Sequence, residues 1–355
     1  MSDANIDIEL LTRVCKTPGA PGYEQRIRED IIELVTPYVD EVKIDTMGSV
    51  HAIKYANKPD AKKVLVAAHM DEISFITTHI DDEGYVRFHP LGGFDPKTLT
   101  AQRVIIHGKE DVLGVMGTKP IHIMKPEERK KMPDISDFYI DTGMKKKDIE
   151  KLIEIGSPIT RERDLCVMGP CVNSKSLDNR VSVYILIEAL RELKDRQLDV
   201  DVYGVFTVQE EVGLRGAMTA ASGVDPDFGI NLDVTLACDY PNAQPHERIT
   251  SLGEGTAIKV LDGASICDYR MVAMMKSLAK EHGIQHQMEI LPAGGTDTAG
   301  IQRYSKGGSI AGGISIPTRY LHQVIEMAHM DDIRGTIDLL IASLDRVGSY
   351  DWTFK

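Results

Sequence analysis

Histidine and acidic residues stand at the ends of several apolar segments in this sequence. His69 directly follows the run VLVAA, and Glu210 and Glu211 directly follow VFTVQ. Asp233 lies inside the segment GINLDV. Carboxylates buried among apolar residues are costly unless cations or protons offset their charge. A pair of bound divalent cations would explain why histidine and carboxylates are placed at the ends of these segments. Imidazole and carboxylate are ligands of Zn and also of Co or Mn.

Two divalent ions about 3.5–4 Å apart form a hydrolytic device that acts on peptide and phosphate bonds. The device needs a bridging carboxylate, two further ligands for each ion and a free carboxylate that accepts a proton from water. Taken singly, an aspartate after a strand is more often a turn or helix-cap residue, and a loop histidine is more often solvated. Clustering at segment ends favours the metal site, and six residues supply it: His69, Asp178, Glu210, Glu211, Asp233 and His322.

Motifs of other hydrolases and of nucleotide-binding proteins are absent from the sequence. There is no H-E-x-x-H zinc helix and no G-x-S-x-G nucleophile turn. The glycine-rich segment SKGGSIAGG lacks the G-K-[ST] ending of a phosphate-binding loop. A glycosidase uses paired carboxylates, but that hypothesis leaves the histidines unexplained.

The composition argues against charged polymers and membranes as partners. The chain has 355 residues and a formal net charge of −13, so it lacks the basic surface that nucleic acids or anionic lipids require. No segment approaches the roughly 20 apolar residues of a membrane helix, and the N-terminus does not resemble a signal peptide. A reduced, cytoplasmic location is predicted from five scattered cysteines without a C-x-x-C motif: Cys15, Cys166, Cys171, Cys238 and Cys267.

Alternating strands and helices must position the candidate site. The run VLVAA is typical of a strand buried on both faces, and strand and helix patterns alternate again from about residue 166 onward. Between 74 and 165 the pattern changes to short alternating segments such as YVRFHP, RVIIHG and VLGVMG, which indicate a β-rich unit. The sequence thus predicts an α/β domain with a mixed sheet, formed by residues 1–73 and 166–355, with a β-rich insertion at 74–165. Sites in such domains lie beyond the C-terminal ends of strands.

Eight segments of the chain resemble segments of one protein family, and they occur in the same order as in that family. They are AAHMDEISF, LGGFDPKTLTAQRV, GVMGTKPIH, SLDNRVS, VQEEVGLRGA, NLDVT, GGTDT and ISIPTRYLH. The family is that of the dinuclear metalloaminopeptidases, which includes the tetrahedral (TET) aminopeptidases, glutamyl aminopeptidase and cellulase M-like proteins. The resemblance implies a metallopeptidase domain with a PDZ-like dimerisation insertion. It also implies peptide substrates cut at the N-terminal residue, two divalent ions per chain, most often zinc, and dimers that build a dodecamer.

The resemblance also implies a role for each metal ligand. Asp178 would bridge the two ions. Glu211 and His322 would complete one metal position, and His69 and Asp233 the other.

Two further residues receive roles from the same resemblance. Glu210 would be the general base, and Asp71 would orient the imidazole of His69. Neighbouring residues of an extended strand point to opposite sides, so Glu210 and Glu211 can have different roles only if the strand turns there. Gly213, just downstream, is compatible with such a turn.

One departure from the family and two alternatives remain. His322 is followed by Gln323 and Val324 rather than by a small residue and proline, which loosens the loop that carries a ligand. The alternatives are a deacylase or carboxypeptidase on the same dinuclear scaffold, and an assembled scaffold protein without activity.

Overall fold

The computed structural model describes residues 5–354. Its strands are β1 (Glu41–Ile44), β2 (Val50–Lys54), β3 (Lys63–His69), β4 (Ser74–Ile80), β5 (Val86–Leu91), β6 (Arg103–His107), β7 (Asp111–Gly117), β8 (Tyr139–Asp141), β9 (Pro158–Arg161), β10 (Cys166–Met168), β11 (Cys171–Ser174), β12 (Asp201–Thr207), β13 (Phe228–Leu236), β14 (Thr256–Leu261), β15 (His286–Ile290), β16 (Ile310–Arg319) and β17 (Glu326–His329). Its α-helices are α1 (Ile8–Lys16), α2 (Gln25–Val35), α3 (Pro126–Lys130), α4 (Lys146–Ile149), α5 (Leu177–Leu193), α6 (Arg215–Val224), α7 (Tyr269–Glu281), α8 (Asp297–Tyr304) and α9 (Met330–Val347).

An eleven-stranded mixed sheet forms the larger part of the fold. Its order is β1-β2-β12-β3-β13-β16-β17-β11-β10, and β14 and β15 extend from β16. The four neighbours β12, β3, β13 and β16 are parallel, so their C-terminal ends share one edge. The predicted α/β fold with a mixed sheet is confirmed.

Strand β3 shows why this sheet is covered on both faces. Val64, Val66 and Ala68 belong to a core with residues of α1, α2, α5, α7 and α9. Leu65 and Ala67 point the other way and pack with residues of α6 and α8. Because side chains alternate along a strand, a continuous apolar run requires helices on both sides. The sequence prediction of a doubly buried strand is therefore confirmed.

The remaining strands close into a small barrel in the order β4-β5-β8-β7-β6-β9. The barrel has its own apolar core, which includes Phe75, Phe88 and Ile140. All six strands lie within the predicted insertion, residues 74–165. The prediction of a β-rich unit inside the α/β fold is confirmed, whereas the division into domains stays a prediction.

The five cysteines are all free thiols, and Cys15 and Cys267 are buried. Within residues 5–354, no helix combines the length and apolar character needed to cross a membrane.

Candidate metal centre

The shared edge of the parallel strands gathers the candidate residues. His69 is the last residue of β3, and Asp233 lies in β13 near its end. Glu210 and Glu211 lie in the turn after β12, and His322 lies in the turn after β16. The sheet order therefore brings together residues that are far apart in the sequence.

The first group of donor atoms consists of His69, Asp178 and Asp233, which are 2%, 5% and 4% exposed. Nε2 of His69 lies 3.3 Å from Oδ1 of Asp178 and 3.8 Å from Oδ1 of Asp233. One donor atom from each residue lies within 4.8 Å of the others. These three residues can therefore hold a metal ion.

The second group consists of Asp178, Glu211 and His322. Nε2 of His322 lies 3.5 Å from Oδ2 of Asp178 and 3.6 Å from Oε2 of Glu211. Asp178 thus presents Oδ1 to one group and Oδ2 to the other. A carboxylate in that position can bridge two ions. The peptide bond that follows Asp178 is cis, and both Asp178 and Asn179 depart from helical φ and ψ at the start of α5.

Glu210 borders both groups. Its side chain is buried, with Oε2 3.8 Å from Nε2 of His69, and its donor atoms also cluster with those of His69 and Glu211. The geometry allows Glu210 to act as a ligand or as a base.

A sharp turn of the chain after β12 allows the neighbouring Glu210 and Glu211 both to face the cluster. Gln209 has a φ of 54° and Gly213 a φ of 124°, both in the left-handed region. Glu210 and Glu211 donate their backbone N–H groups to the carboxylate of Asp71, at 3.0 and 3.2 Å. The predicted turn is confirmed.

Asp71 contacts His69 in addition to this turn. Nδ1 of His69 lies 3.2 Å from the backbone oxygen of Asp71 and 3.5 Å from Oδ1 of its carboxylate. A hydrogen on Nδ1 leaves the lone pair of Nε2 for the cluster. One buried aspartate thus contacts both the histidine and the turn that carries the glutamates.

The cluster has a strong affinity for positive charge. Burial raises the pKa of Glu210 well above its usual range, that of Glu211 to about 8 and that of Asp233 to about 7. Burial alone would lower the pKa of His69, but Glu210 and the neighbouring aspartates raise it well above its usual value. Burial alone would raise the pKa of Asp178, but His322 and His69 hold it well below the usual range. In the absence of other cations, protons must offset these crowded carboxylates.

The donor set fits divalent cations for the same reason. Oε1 of Glu211 is buried and has no hydrogen-bond partner among the described residues. An orphaned carboxylate oxygen beside imidazole nitrogens is a ready ligand for zinc and for similar ions.

Residues of the barrel support the half-exposed His322. Nδ1 of His322 lies 3.1 Å from the backbone oxygen of Gly93, and a Cβ added to Gly93 would meet Nδ1 at 3.1 Å. Arg161 donates from Nη1 to the backbone oxygen of Gln323, so it anchors the loop that lacks the family's proline. Glu326 accepts a hydrogen bond of 2.9 Å from the backbone N–H of Asp178.

Sequence reasoning did not single out Gly93, Arg161 or Glu326. Gly93 belongs to the segment LGGFDPKTLTAQRV, and the resemblance of this segment to the family was the one feature of the sequence that could have pointed to Gly93. Arg161 and Glu326 had no signal in the sequence, because their partners become neighbours only in the folded chain.

A mixed α/β sheet with a histidine–carboxylate cluster at its strand ends defines a class, the metal-dependent hydrolases of α/β fold. The Peptidase M42 family model, described as M42 glutamyl aminopeptidase, matches residues 48–339. The chain belongs to this metal-dependent family, and it is an aminopeptidase, a hydrolase that acts on peptides.

Relatives and solved structures agree with this membership. A lysyl aminopeptidase of Pyrococcus furiosus is 33% identical over 362 residues, which cover 98% of this chain and 99% of the relative. A TET aminopeptidase from a marine sediment archaeon of the Thaumarchaeota has a TM-score of 0.93 and 35% identity, with 96% of each chain covered. A TET peptidase of Pyrococcus horikoshii, described as able to assemble into a tetrahedron or a large octahedral shell, has a TM-score of 0.85 and 32% identity and covers 95% of this chain and 98% of its own. The resemblance inferred from the eight segments is confirmed, and none of these relatives favours a deacylase, a carboxypeptidase or an inactive scaffold.

Proposed function

We propose that this aminopeptidase uses two divalent ions, held by five residues, to cut the first peptide bond of its substrates. Zinc is the ion that the ligands favour, and cobalt or manganese is compatible with them. The observation that carries the proposal is the position of Asp178, whose two oxygens face separate groups of donors. The ligands are His69 and Asp233 for one ion, Glu211 and His322 for the other, and Asp178 for both.

Glu210 is the base in this proposal. When bound, the ions would acidify a water molecule and polarise the carbonyl of the first peptide bond. Glu210 accepts a proton on its carboxylate and returns it to the leaving amine. Its burial supports this role, because a carboxylate with a raised pKa retains a proton more readily than an exposed one. Asp71 acts as a positioning residue that orients His69 and holds the turn of Glu210.

Chelation followed by reloading tests the proposal. Hydrolysis of aminoacyl p-nitroanilides should fall to background after chelation, and zinc or cobalt should restore it because the ions supply the electrophile. Metal content per chain, measured by mass spectrometry, should reach two at full activity. Full activity in a sample that holds no metal would disprove the dinuclear mechanism.

We further propose that the chain forms homodimers through its barrel and that the dimers build a larger shell. The assembling TET peptidase from Pyrococcus horikoshii supports this by its similarity. The barrel also exposes large apolar side chains: Leu113 by 53%, Val115 by 42%, Ile121 by 62% and Ile123 by 67%. Exposed apolar groups of this kind are typical of protein interfaces. The cytoplasmic location stays a prediction from the sequence.

Charges on the barrel surface should break the dimer. The double substitution Leu113→Asp and Val115→Lys places desolvated charges in the proposed interface, so light scattering should show the mass of one chain. Ile44→Asp is a matched control, because Ile44 is 53% exposed on β1, in the sheet rather than in the barrel. An unchanged assembly in the double variant would contradict the barrel interface.

A further inference from the structure

A cavity of about 510 Å³ lies beside the metal cluster. All six proposed site residues line it, so a bound substrate must place its scissile bond beside them. The volume is typical of small-molecule sites, which span roughly 300–1,000 Å³. An aminopeptidase substrate ends at the residue before the scissile bond. The part of the cavity on the N-terminal side of that bond therefore receives a single side chain, that of the N-terminal residue.

Four leucines also line this cavity. They are Leu214, Leu236, Leu291 and Leu321, and they come from four separate segments of the chain. Each is only partly buried, and Leu236 is 37% exposed. Several partly exposed leucines that converge on one cavity indicate a surface that an apolar ligand covers.

Two charged residues outside the metal cluster also line the cavity, Lys259 and Asp262. Nζ of Lys259 is 3.2 Å from Oδ2 of Asp262 and 3.2 Å from Oε1 of Glu289, and Lys259 is only 1% exposed. The carboxylate of Asp262 additionally accepts from Thr296 and from the backbone and hydroxyl of Ser265. Both charges are therefore already paired within the wall.

We infer that the N-terminal residue this enzyme prefers carries an apolar side chain, such as that of leucine or methionine. This inference rests on the proposed function and adds the substrate class to it. Outside the metal cluster, a lysyl ammonium group finds no unpaired carboxylate among the residues that line the cavity, and a glutamyl carboxylate finds no unpaired cation. A buried charge without a partner is strongly disfavoured, whereas an apolar side chain gains from contact with the four leucines. The chain thus differs in specificity from the lysyl relative and from the glutamyl activity in the family's description.

A panel of leucyl, methionyl, alanyl, lysyl and glutamyl p-nitroanilides tests the inference on the zinc- or cobalt-loaded enzyme. The kcat/KM for leucyl and methionyl substrates should exceed that for alanyl by about 10–100-fold, from the added apolar contact. It should exceed that for lysyl and glutamyl substrates by about 100-fold or more, because those charges stay unpaired.

The variant Leu236→Asp tests whether the leucines that line the cavity cause the preference for apolar N-terminal residues. It places a carboxylate beside the substrate side chain, so the lysyl-to-leucyl ratio of kcat/KM should rise by at least about 10-fold. The matched control Ile44→Asp adds the same charge at a remote exposed position and should leave the ratio unchanged.

The outcomes separate the two proposals. Hydrolysis that favours lysyl or glutamyl substrates would overturn the apolar preference and leave the aminopeptidase mechanism intact. A preference for leucyl that Leu236→Asp does not alter would remove the leucine wall as its cause. No hydrolysis of any substrate by a protein that holds two ions would overturn the proposed mechanism itself.

Discussion

Replacement of Glu210 by glutamine should lower kcat by about 10²–10⁴-fold while the protein retains both metal ions. The amide keeps the size and most of the polarity of the side chain but cannot accept a proton. Glu210 suits the role of base because it is buried, has a raised pKa and borders both donor groups. Parallel measurements of metal content and of kcat on one aminoacyl substrate check this prediction.

Glu211→Gln is the matched control, because it makes the same chemical change one residue further along. Glu211 faces His322 at 3.6 Å and is a ligand in the proposed centre, so its variant should lose metal as well as activity. The pattern of the two variants distinguishes a base from a ligand. Near-normal turnover of Glu210→Gln with full metal content would show that Glu210 is not the base. Metal loss in Glu210→Gln but not in Glu211→Gln would make Glu210 the ligand and Glu211 the base.

Replacement of Glu72 by glutamine should destabilise the fold by about 3–5 kcal/mol, the usual cost of an unpaired buried charge. Glu72 is fully buried and accepts from Nζ of Lys175, with Oε2 at 2.6 Å. Nη2 of Arg161 and Nη2 of Arg180 each lie 3.8 Å from its carboxylate. The variant would leave three buried cations around a neutral side chain. Lys175 is only 2% exposed, and this burial lowers its pKa to about 8.

Chemical denaturation of the metal-free protein measures this effect without a contribution from bound ions. Glu33→Gln is a suitable control, since Glu33 pairs with Arg13 at 2.7 Å but its side chain is 70% exposed. The control should leave the denaturation midpoint unchanged, because exposed pairs contribute little. A wild-type midpoint for Glu72→Gln would show that the buried cations do not depend on this carboxylate.

The Glu72 cluster also bears on the candidate site. Arg161 belongs to the barrel and reaches both Glu72 and the backbone oxygen of Gln323, beside His322. The sheet, the barrel and a candidate ligand therefore meet at one arginine. The loop that lacks the family's proline gains its anchor from this contact.

Much of the candidate site was predictable from sequence because its residues mark the ends of strands. An apolar run such as VLVAA forms a doubly buried strand, and parallel strands end at a common edge. Residue type then limits the chemistry, since histidines and carboxylates at such an edge are ligands for divalent ions. These features depend on neighbours along the chain, so the sequence contains them directly.

Other parts of the site depend on contacts between distant segments. The order β12-β3-β13-β16 does not follow the chain, and the turn that carries Glu210 and Glu211 has Gln209 in the left-handed region. His322 and Gly93 lie 229 residues apart in sequence, yet they form one hydrogen bond. The four leucines of the cavity wall also come from separate segments.

The strands, the residue types at their ends and the class of chemistry were thus predictable from the amino-acid sequence, because local patterns of apolar and polar residues encode them. Contacts made in the folded chain decide which residues orient the candidate ligands and which side chains line the cavity. Those contacts arise from sheet order and side-chain packing, and neither leaves a periodic pattern along the chain.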